Sequence, residues 1–117
     1  MHTFTFSSFK FNIDKATALT RDYPVHHWTY NDIKLCSLQI LTVVKLDPDH
    51  AMTTDLRKPV IWLETPGLHI LIDGCHRMHK AIQLKRNLKC VVIREPEVVQ
   101  EILLKGDIKQ LFPEGTY

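Results

Sequence analysis

Residues 70–82 read Ile-Leu-Ile-Asp-Gly-Cys-His-Arg-Met-His-Lys-Ala-Ile, and this stretch decides the fold. Its first three residues form a continuous apolar run, as in a short strand that is buried on both faces. Asp73-Gly74 breaks the run, and the apolar positions from Met78 onward follow helical spacing. The sequence therefore predicts a strand, a tight turn and a helix in direct succession.

This succession is suited to binding an anion. It directs the backbone N–H groups of the helix start, and the positive end of the helix dipole, toward one point. His76 and Arg77 add donors in the first turn. Cations at a helix N-terminus oppose the dipole, which indicates that an anion compensates them. We expect a phosphate or another small anion here; the alternative is an ordinary Asp-Gly turn followed by a solvated basic turn of helix.

The stretch Ile72-Asp73-Gly74-Cys75-His76-Arg77, with Lys80-Ala81 following, resembles the signature of the ParB/sulfiredoxin superfamily. The resemblance covers residues 38–104 of a single domain over 1–117, with 1–37 as an N-terminal extension and 106–117 as a loosely packed tail. It implies a small mixed sheet with packed helices, in which the turn binds ATP or CTP with Mg²⁺. The phosphate-binding residues it implies are Gly74, Cys75, His76, Arg77 and Lys80.

The chain also departs from that family. Sulfiredoxins carry a glycine where this chain has Asp73, and residues 48–58 take the place of a longer helix. The basic and hydroxyl residues that this helix gives to a nucleotide have no clear match, although Thr53, Thr54, Arg57 and Lys58 lie in the corresponding segment.

Three residues of the motif are candidate catalytic groups. Asp73 could hold Mg²⁺ through water, or only form the turn. Cys75, at a helix N-terminus beside two basic residues, is expected to have a lowered pKa, and the cysteine at this position is the nucleophile of sulfiredoxins; the alternative is a packed thiol. His76 could act as acid or base, or cap the helix. Arg77 suits a phosphate, or an ion pair with Asp73 or Glu64.

Several functions are consistent with these residues. The first is a nucleotide-binding domain, either a phosphotransferase or an NTP hydrolase. The alternative is a DNA- or RNA-binding module or small nuclease of the same fold that uses the basic helix face of Lys80, Lys85 and Arg86. A thiol enzyme based on Cys75 and a non-catalytic interaction protein also remain open.

The composition sets broader bounds. A chain of 117 residues with 44% hydrophobic and 24% charged residues is typical of one globular domain. Its net charge of +2 does not by itself indicate nucleic acid. An odd number of cysteines fits a reducing cytoplasm, and no apolar run is long enough to span a membrane. His26-His27, adjacent on a predicted strand, and the pair His76 and His79 give no metal site.

The rest of the chain predicts an α+β fold with one mixed sheet of four to six strands. Alternating phenylalanines predict two strands within residues 4–11, and Asp14 can cap a helix that ends near Arg21. Further strands are predicted at 25–30, 38–46, 59–64, 68–72 and 89–93. Further helices are predicted at 33–37, 50–53, 75–86 and 95–105, the last with proline in its first turn.

Overall fold

The computed structural model describes residues 1–33 and 48–113, which form the expected α+β fold. In chain order the strands are β1 (Thr3–Phe6), β2 (Phe9–Asn12), β3 (His26–Trp28), β4 (Val60–Thr65), β5 (Leu68–Asp73), β6 (Leu88–Ile93) and β7 (Leu103–Lys105). The labelled helices are α1 (Ile13–Leu19), α2 (Pro48–Met52), α3 (Cys75–Gln83), α4 (Pro96–Ile102) and α5 (Ile108–Leu111). Residues 30–33 are helical as well. The predicted strand at 38–46 and most of the predicted helix at 33–37 lie outside the described residues.

The larger sheet has four strands in the order β3-β6-β4-β5. β4 and β5 form the predicted antiparallel hairpin, in which Thr65 pairs with Leu68 across the turn. β6 runs parallel to β4, because α3 carries the chain back across the sheet, and β3 pairs antiparallel with β6. The strand, turn and helix predicted at residues 70–82 are therefore confirmed at the edge of this sheet.

The expectation of a single sheet is wrong, because a second sheet has three antiparallel strands in the order β1-β2-β7. The last predicted helix stops at Ile102 instead of reaching Lys105. Leu103 takes an extended conformation, with φ −79° and ψ 114°, and pairs with Phe11 of β2. Pairing with a phenylalanine-rich strand thus overrides the helical period of this short segment.

The four-stranded sheet is buried on both faces. On one face the apolar side chains of alternate strand positions, such as Leu63 and Ile72, pack with Phe11, Ile102 and Leu111. On the other face the remaining apolar side chains of the strands pack against α3. The buried residues of this second cluster are Ile33, Val60, Trp62, Leu71, Met78, Ala81, Leu88 and Cys90. This two-sided burial explains why the central strands read as continuous apolar runs.

Residues 107–113 are not part of the loosely packed tail expected from the sequence. Leu111 and Phe112 are buried in the core with relative exposures of 0% and 4%. Asp107 caps α5 by accepting a hydrogen bond from the Lys109 N–H at 2.9 Å. The Leu111 carbonyl accepts one from the Gly67 N–H at 3.0 Å, so α5 closes over the turn of the β4–β5 hairpin.

Two helix ends also differ from the prediction. Asn12, not Asp14, caps α1, since its side chain accepts a hydrogen bond from the Lys15 N–H at 3.0 Å. α3 ends at Gln83 rather than Arg86, because Lys85 adopts the left-handed conformation with φ +53°. In the described part of the chain, no helix has the length and apolar character needed to cross a membrane.

Candidate functional site

The turn between β5 and α3 depends on a glycine. Gly74 caps α3 with φ +100°, a conformation that other residues adopt at a cost. A Cβ atom at this position would collide with the side chain of Val60 and lie 3.2 Å from the Arg77 guanidinium. The backbone thus passes close against β4, which fixes where α3 begins.

The first turn of α3 contains no acidic side chain, and Asp73 lies just before it. Gly74 has no side chain to accept hydrogen bonds from the first N–H groups. His76 and Arg77 occupy this turn. The helix dipole and the basic side chains therefore add their positive potential at the same end of the helix.

Arg77 is held by the protein itself. One terminal nitrogen donates to Asp73 Oδ2 at 2.9 Å, and the other donates to the Pro59 carbonyl at 2.8 Å. The two side chains of the ion pair are only 13% and 17% exposed. Glu64, the other partner considered for Arg77, pairs instead with Arg94 at 3.3 Å. Because a guanidinium has five N–H donors, these two bonds leave donors for a ligand.

A pocket of about 380 Å³ opens at this helix end. The predicted residues Asp73, Gly74, Cys75, His76 and Arg77 all line it, so the structure brings this part of the motif together. The sequence does not predict three further residues of its lining, which are His2 and Phe4 from the N-terminal segment and His50 from α2. Thr54, which lies in the segment that replaces the longer helix of the family, also lines the pocket. The His50 and His76 rings meet edge to face with their centres 4.7 Å apart. These three further residues are distant from the motif in sequence and reach the pocket through long-range packing, so no local sequence pattern predicts them.

Lys80 lies away from this pocket. Its ammonium donates to the Thr54 carbonyl at 2.6 Å, and its side chain lines a neighbouring cleft together with Arg57 and Arg86. Thr54 lines both the pocket and the cleft. The predicted phosphate-binding set is thus split between two adjoining surfaces.

The expected low pKa of Cys75 is wrong. Burial, with the negative charge of Asp73 as a smaller cause, raises the pKa of the thiol to about 11. The backbone N–H of Cys75 and the charge of Arg77 act in the opposite direction and are outweighed. Cys75 is therefore a neutral thiol at physiological pH, which removes the basis for a thiol enzyme that relies on a Cys75 thiolate.

The Asp73 side chain lines two pockets. With Arg77 and His2 it lines both the pocket at the helix start and a second pocket of about 560 Å³, beside Lys58 and Arg21. Its Oδ2 atom accepts from Arg77. A carboxylate in this position can act as a base, or hold a hydrated cation beside phosphates.

Metal ligands do not cluster in the described ranges. No three His, Cys, Asp or Glu side chains of residues 1–33 and 48–113 come together as a group that could hold a metal ion. Asp55, which follows α2, does not line the pocket and forms an ion pair with Arg57 at 3.0 Å.

Comparison with known proteins adds no relative. The chain matches no family model, no curated protein and no solved structure. The chemistry of the helix start and of its surrounding walls is consequently the ground on which a function must be argued.

Proposed function

We propose that this protein binds the phosphates of a nucleoside triphosphate at the N-terminus of α3. The observation that carries the proposal is the glycine-capped helix start, with His76 and Arg77 in its first turn, which opens onto a pocket of about 380 Å³. Helix N-termini of this kind bind phosphate through backbone N–H groups and the helix dipole. The resemblance of residues 72–77 to the ParB/sulfiredoxin signature supports the same assignment.

The size of the pocket suits the phosphate end of a nucleotide. Small-molecule sites have volumes of roughly 300–1,000 Å³, and this pocket lies near the lower limit. We therefore assign the phosphates to the helix start and leave the base nearer the rim, with ATP or CTP as the nucleotide. Cys75 contributes its backbone N–H to phosphate binding and not its side chain, since the thiol stays neutral.

The charge of Asp73 makes binding depend on Mg²⁺. A triphosphate placed beside this carboxylate would be repelled by it, although Arg77 offsets part of that charge at 2.9 Å. Mg²⁺ bound to the phosphates and, through water, to one carboxylate relieves the repulsion, and it needs no further protein ligand. The reaction we propose is phosphoryl transfer or hydrolysis, with Asp73 or His76 as the base that activates the acceptor.

Calorimetric titration of ATP, CTP and GTP, with and without Mg²⁺, tests the proposal. We expect one nucleotide to bind in the presence of Mg²⁺, and Arg77→Lys to weaken it by about tenfold, since lysine keeps the charge but loses the planar fork. Arg94→Lys is the matched control, because Arg94 pairs with Glu64 outside the pocket. Thermal melting of each variant verifies that it is folded.

Two results would contradict the proposal. One is the absence of binding by all three nucleotides with Mg²⁺ present. The other is equal loss of affinity in the Arg77 and Arg94 variants, which would place the nucleotide elsewhere. If a nucleotide binds, released phosphate measured with Asp73→Asn and His76→Gln separates the two candidate bases.

A further inference from the structure

A second surface, at the other end of α3, concentrates positive charge. We call it the basic cleft and define it by His27, Arg57, Lys80, Arg86 and Lys89, which line one cavity of about 560 Å³. Among the described lining residues the one carboxylate, Asp55, is already paired with Arg57 through two hydrogen bonds of 3.0 and 3.1 Å. Three positive charges of this described lining, those of Lys80, Arg86 and Lys89, remain uncompensated, more than the net charge of +2 on the whole chain.

The fold brings these residues together from separate elements. Lys80 projects from α3 and is held over the cleft by its 2.6 Å bond to the Thr54 carbonyl, just before the loop that bears Arg57. His27 on β3 and Lys89 on β6 are direct partners in the sheet register. Within the described ranges, Lys80, Arg86 and Lys89 form no ion pair.

The end of α3 positions Arg86. The Arg86 N–H donates to the Ala81 carbonyl at 2.9 Å and the Lys85 N–H donates to the Ile82 carbonyl at 3.2 Å. This double closure is the Schellman motif, in which the residue after the left-handed position leaves the helix in a fixed direction. It carries Arg86 to the cleft, whereas Lys85 does not line it.

From this arrangement we infer that the basic cleft binds the phosphodiester backbone of a single-stranded nucleic acid. Uncompensated cations along a concave surface can hold such a backbone. In the cleft Arg86 is exposed, and Lys80 and Lys89 are half-buried. Among the described lining residues, the only ring is the imidazole of His27, so no base is read by an aromatic platform. Binding is accordingly independent of base sequence.

The cleft suits other polyanions less well. An acidic peptide needs apolar anchors, and the cleft offers few: of its two apolar lining residues Leu88 is fully buried, and Leu56 is half-buried against the core. A nucleic-acid duplex is a stiff rod that cannot bend into a concave surface of this size, while a single strand can. The inference does not depend on nucleotide binding at the other end of α3.

The test is fluorescence anisotropy with a labelled oligothymidylate of about 15 nucleotides, titrated across salt from about 50 to 200 mM. Three phosphate contacts at about 0.7 each predict a slope of roughly −2 for log affinity against log salt. The double variant Arg86→Gln/Lys89→Gln should lose about 1.4 units of that slope. Lys85→Gln removes one charge from the same helix end without touching the cleft, and should leave affinity and slope nearly unchanged.

Four results would overturn the inference: no oligonucleotide binding at low salt, equal losses in the double variant and the Lys85→Gln control, tighter binding of a duplex of the same length, or tighter binding of an acidic peptide. Inorganic triphosphate is titrated in parallel. Suppose that triphosphate binds, that the oligonucleotide does not, and that the double variant loses the triphosphate. The cleft would then be assigned to free phosphate chains instead. Oligouridylate and oligocytidylate that bind within severalfold of oligothymidylate would support contacts to the backbone alone.

Discussion

The two ends of α3 hold positive charge in opposite ways. At the helix start, Arg77 is fixed by Asp73 and Pro59 in a largely buried arrangement, and the dipole supplies the remaining potential. At the helix end, the dipole is unfavourable for anions, and the basic cleft relies on an excess of cations, of which Arg86 is exposed and Lys80 and Lys89 are half-buried. The first arrangement is built into the fold, so changes there should cost stability. The second is carried by surface side chains, so changes there should alter binding alone.

The largest effect is expected at Gly74. Gly74→Ala forces a side chain into the left-handed conformation, at about 1–2 kcal/mol, and against the buried side chain of Val60, at about 1–3 kcal/mol. We expect a loss of roughly 3 kcal/mol in the free energy of unfolding, measured by urea denaturation. Val60→Ala in the same background should recover only part of the collision energy, because the Val60 Cβ would still lie 2.8 Å from the new Cβ. The cost of Val60→Ala itself is measured in the protein that keeps Gly74. A loss below about 1 kcal/mol would show that the turn is not fixed by this glycine.

The ion pair at the helix start comes next. Arg77→Met leaves Asp73 as a largely buried carboxylate without its partner, and we expect a loss of about 2–4 kcal/mol. Asp73→Asn combined with Arg77→Met should restore part of it, because the unpaired charge is removed. The coupling is measured by a double-mutant cycle in urea. Additive losses would mean that the two side chains do not stabilise each other.

Cys75 gives a prediction in alkali. The pKa of its thiol is about 11 in the folded protein against 9.0 for an ordinary thiol, so the folded state keeps its proton while the unfolded chain loses it. The contribution of this group to the free energy of unfolding is therefore full below pH 9 and is lost as the pH rises toward 11, by roughly 3 kcal/mol.

Comparison with Cys75→Ala separates this loss of stability from the loss that is due to Tyr23, whose pKa is also raised, to about 12.

Alkylation gives a second test of the same pKa. A difference of two pKa units means that the thiolate fraction at pH 7 is roughly 100-fold lower than in an ordinary thiol, so alkylation by iodoacetamide should be correspondingly slow. Rapid alkylation at pH 7 would contradict the burial of this thiol.

The smallest effect is expected at the other end of the helix. Lys85→Gly removes the strain of a side chain at φ +53°, and should raise the free energy of unfolding by about 0.5–1 kcal/mol. Arg86→Gln/Lys89→Gln should change stability by less than about 0.5 kcal/mol, since both act at the surface. A larger loss of stability in that double variant would show that both ends of α3 contribute to the stability of the fold, against the distinction drawn above.

Local chemistry explains which features could be predicted from the sequence. The turn at Asp73-Gly74, the helix after it and the β4–β5 hairpin follow from short-range patterns, and all three were predicted correctly. A signal for α5 was also present, because Asp107 precedes apolar residues at helical spacing. The interpretation of that segment as a tail overlooked this cap.

Other features depend on contacts between distant segments. The pairing of Leu103 with Phe11 and the entry of His2 into the pocket join residues far apart in the chain. The pKa of Cys75 is set by burial, which overrides the dipole argument that the sequence allows. The basic cleft combines Arg57 and His27 with Lys80, Arg86 and Lys89, and no spacing along the chain brings all of these residues together.

The closure of α5 over the hairpin turn also governs the kinetics of folding. One core cluster contains Phe9 and Phe11 from the start of the 117-residue sequence together with Leu111 and Phe112 from near its end. The chain must therefore close a loop of more than one hundred residues before this core is complete, and closing so long a loop slows folding. We expect a synthesis intermediate that lacks α5 to expose the apolar residues of this cluster until residues 108–111 are added.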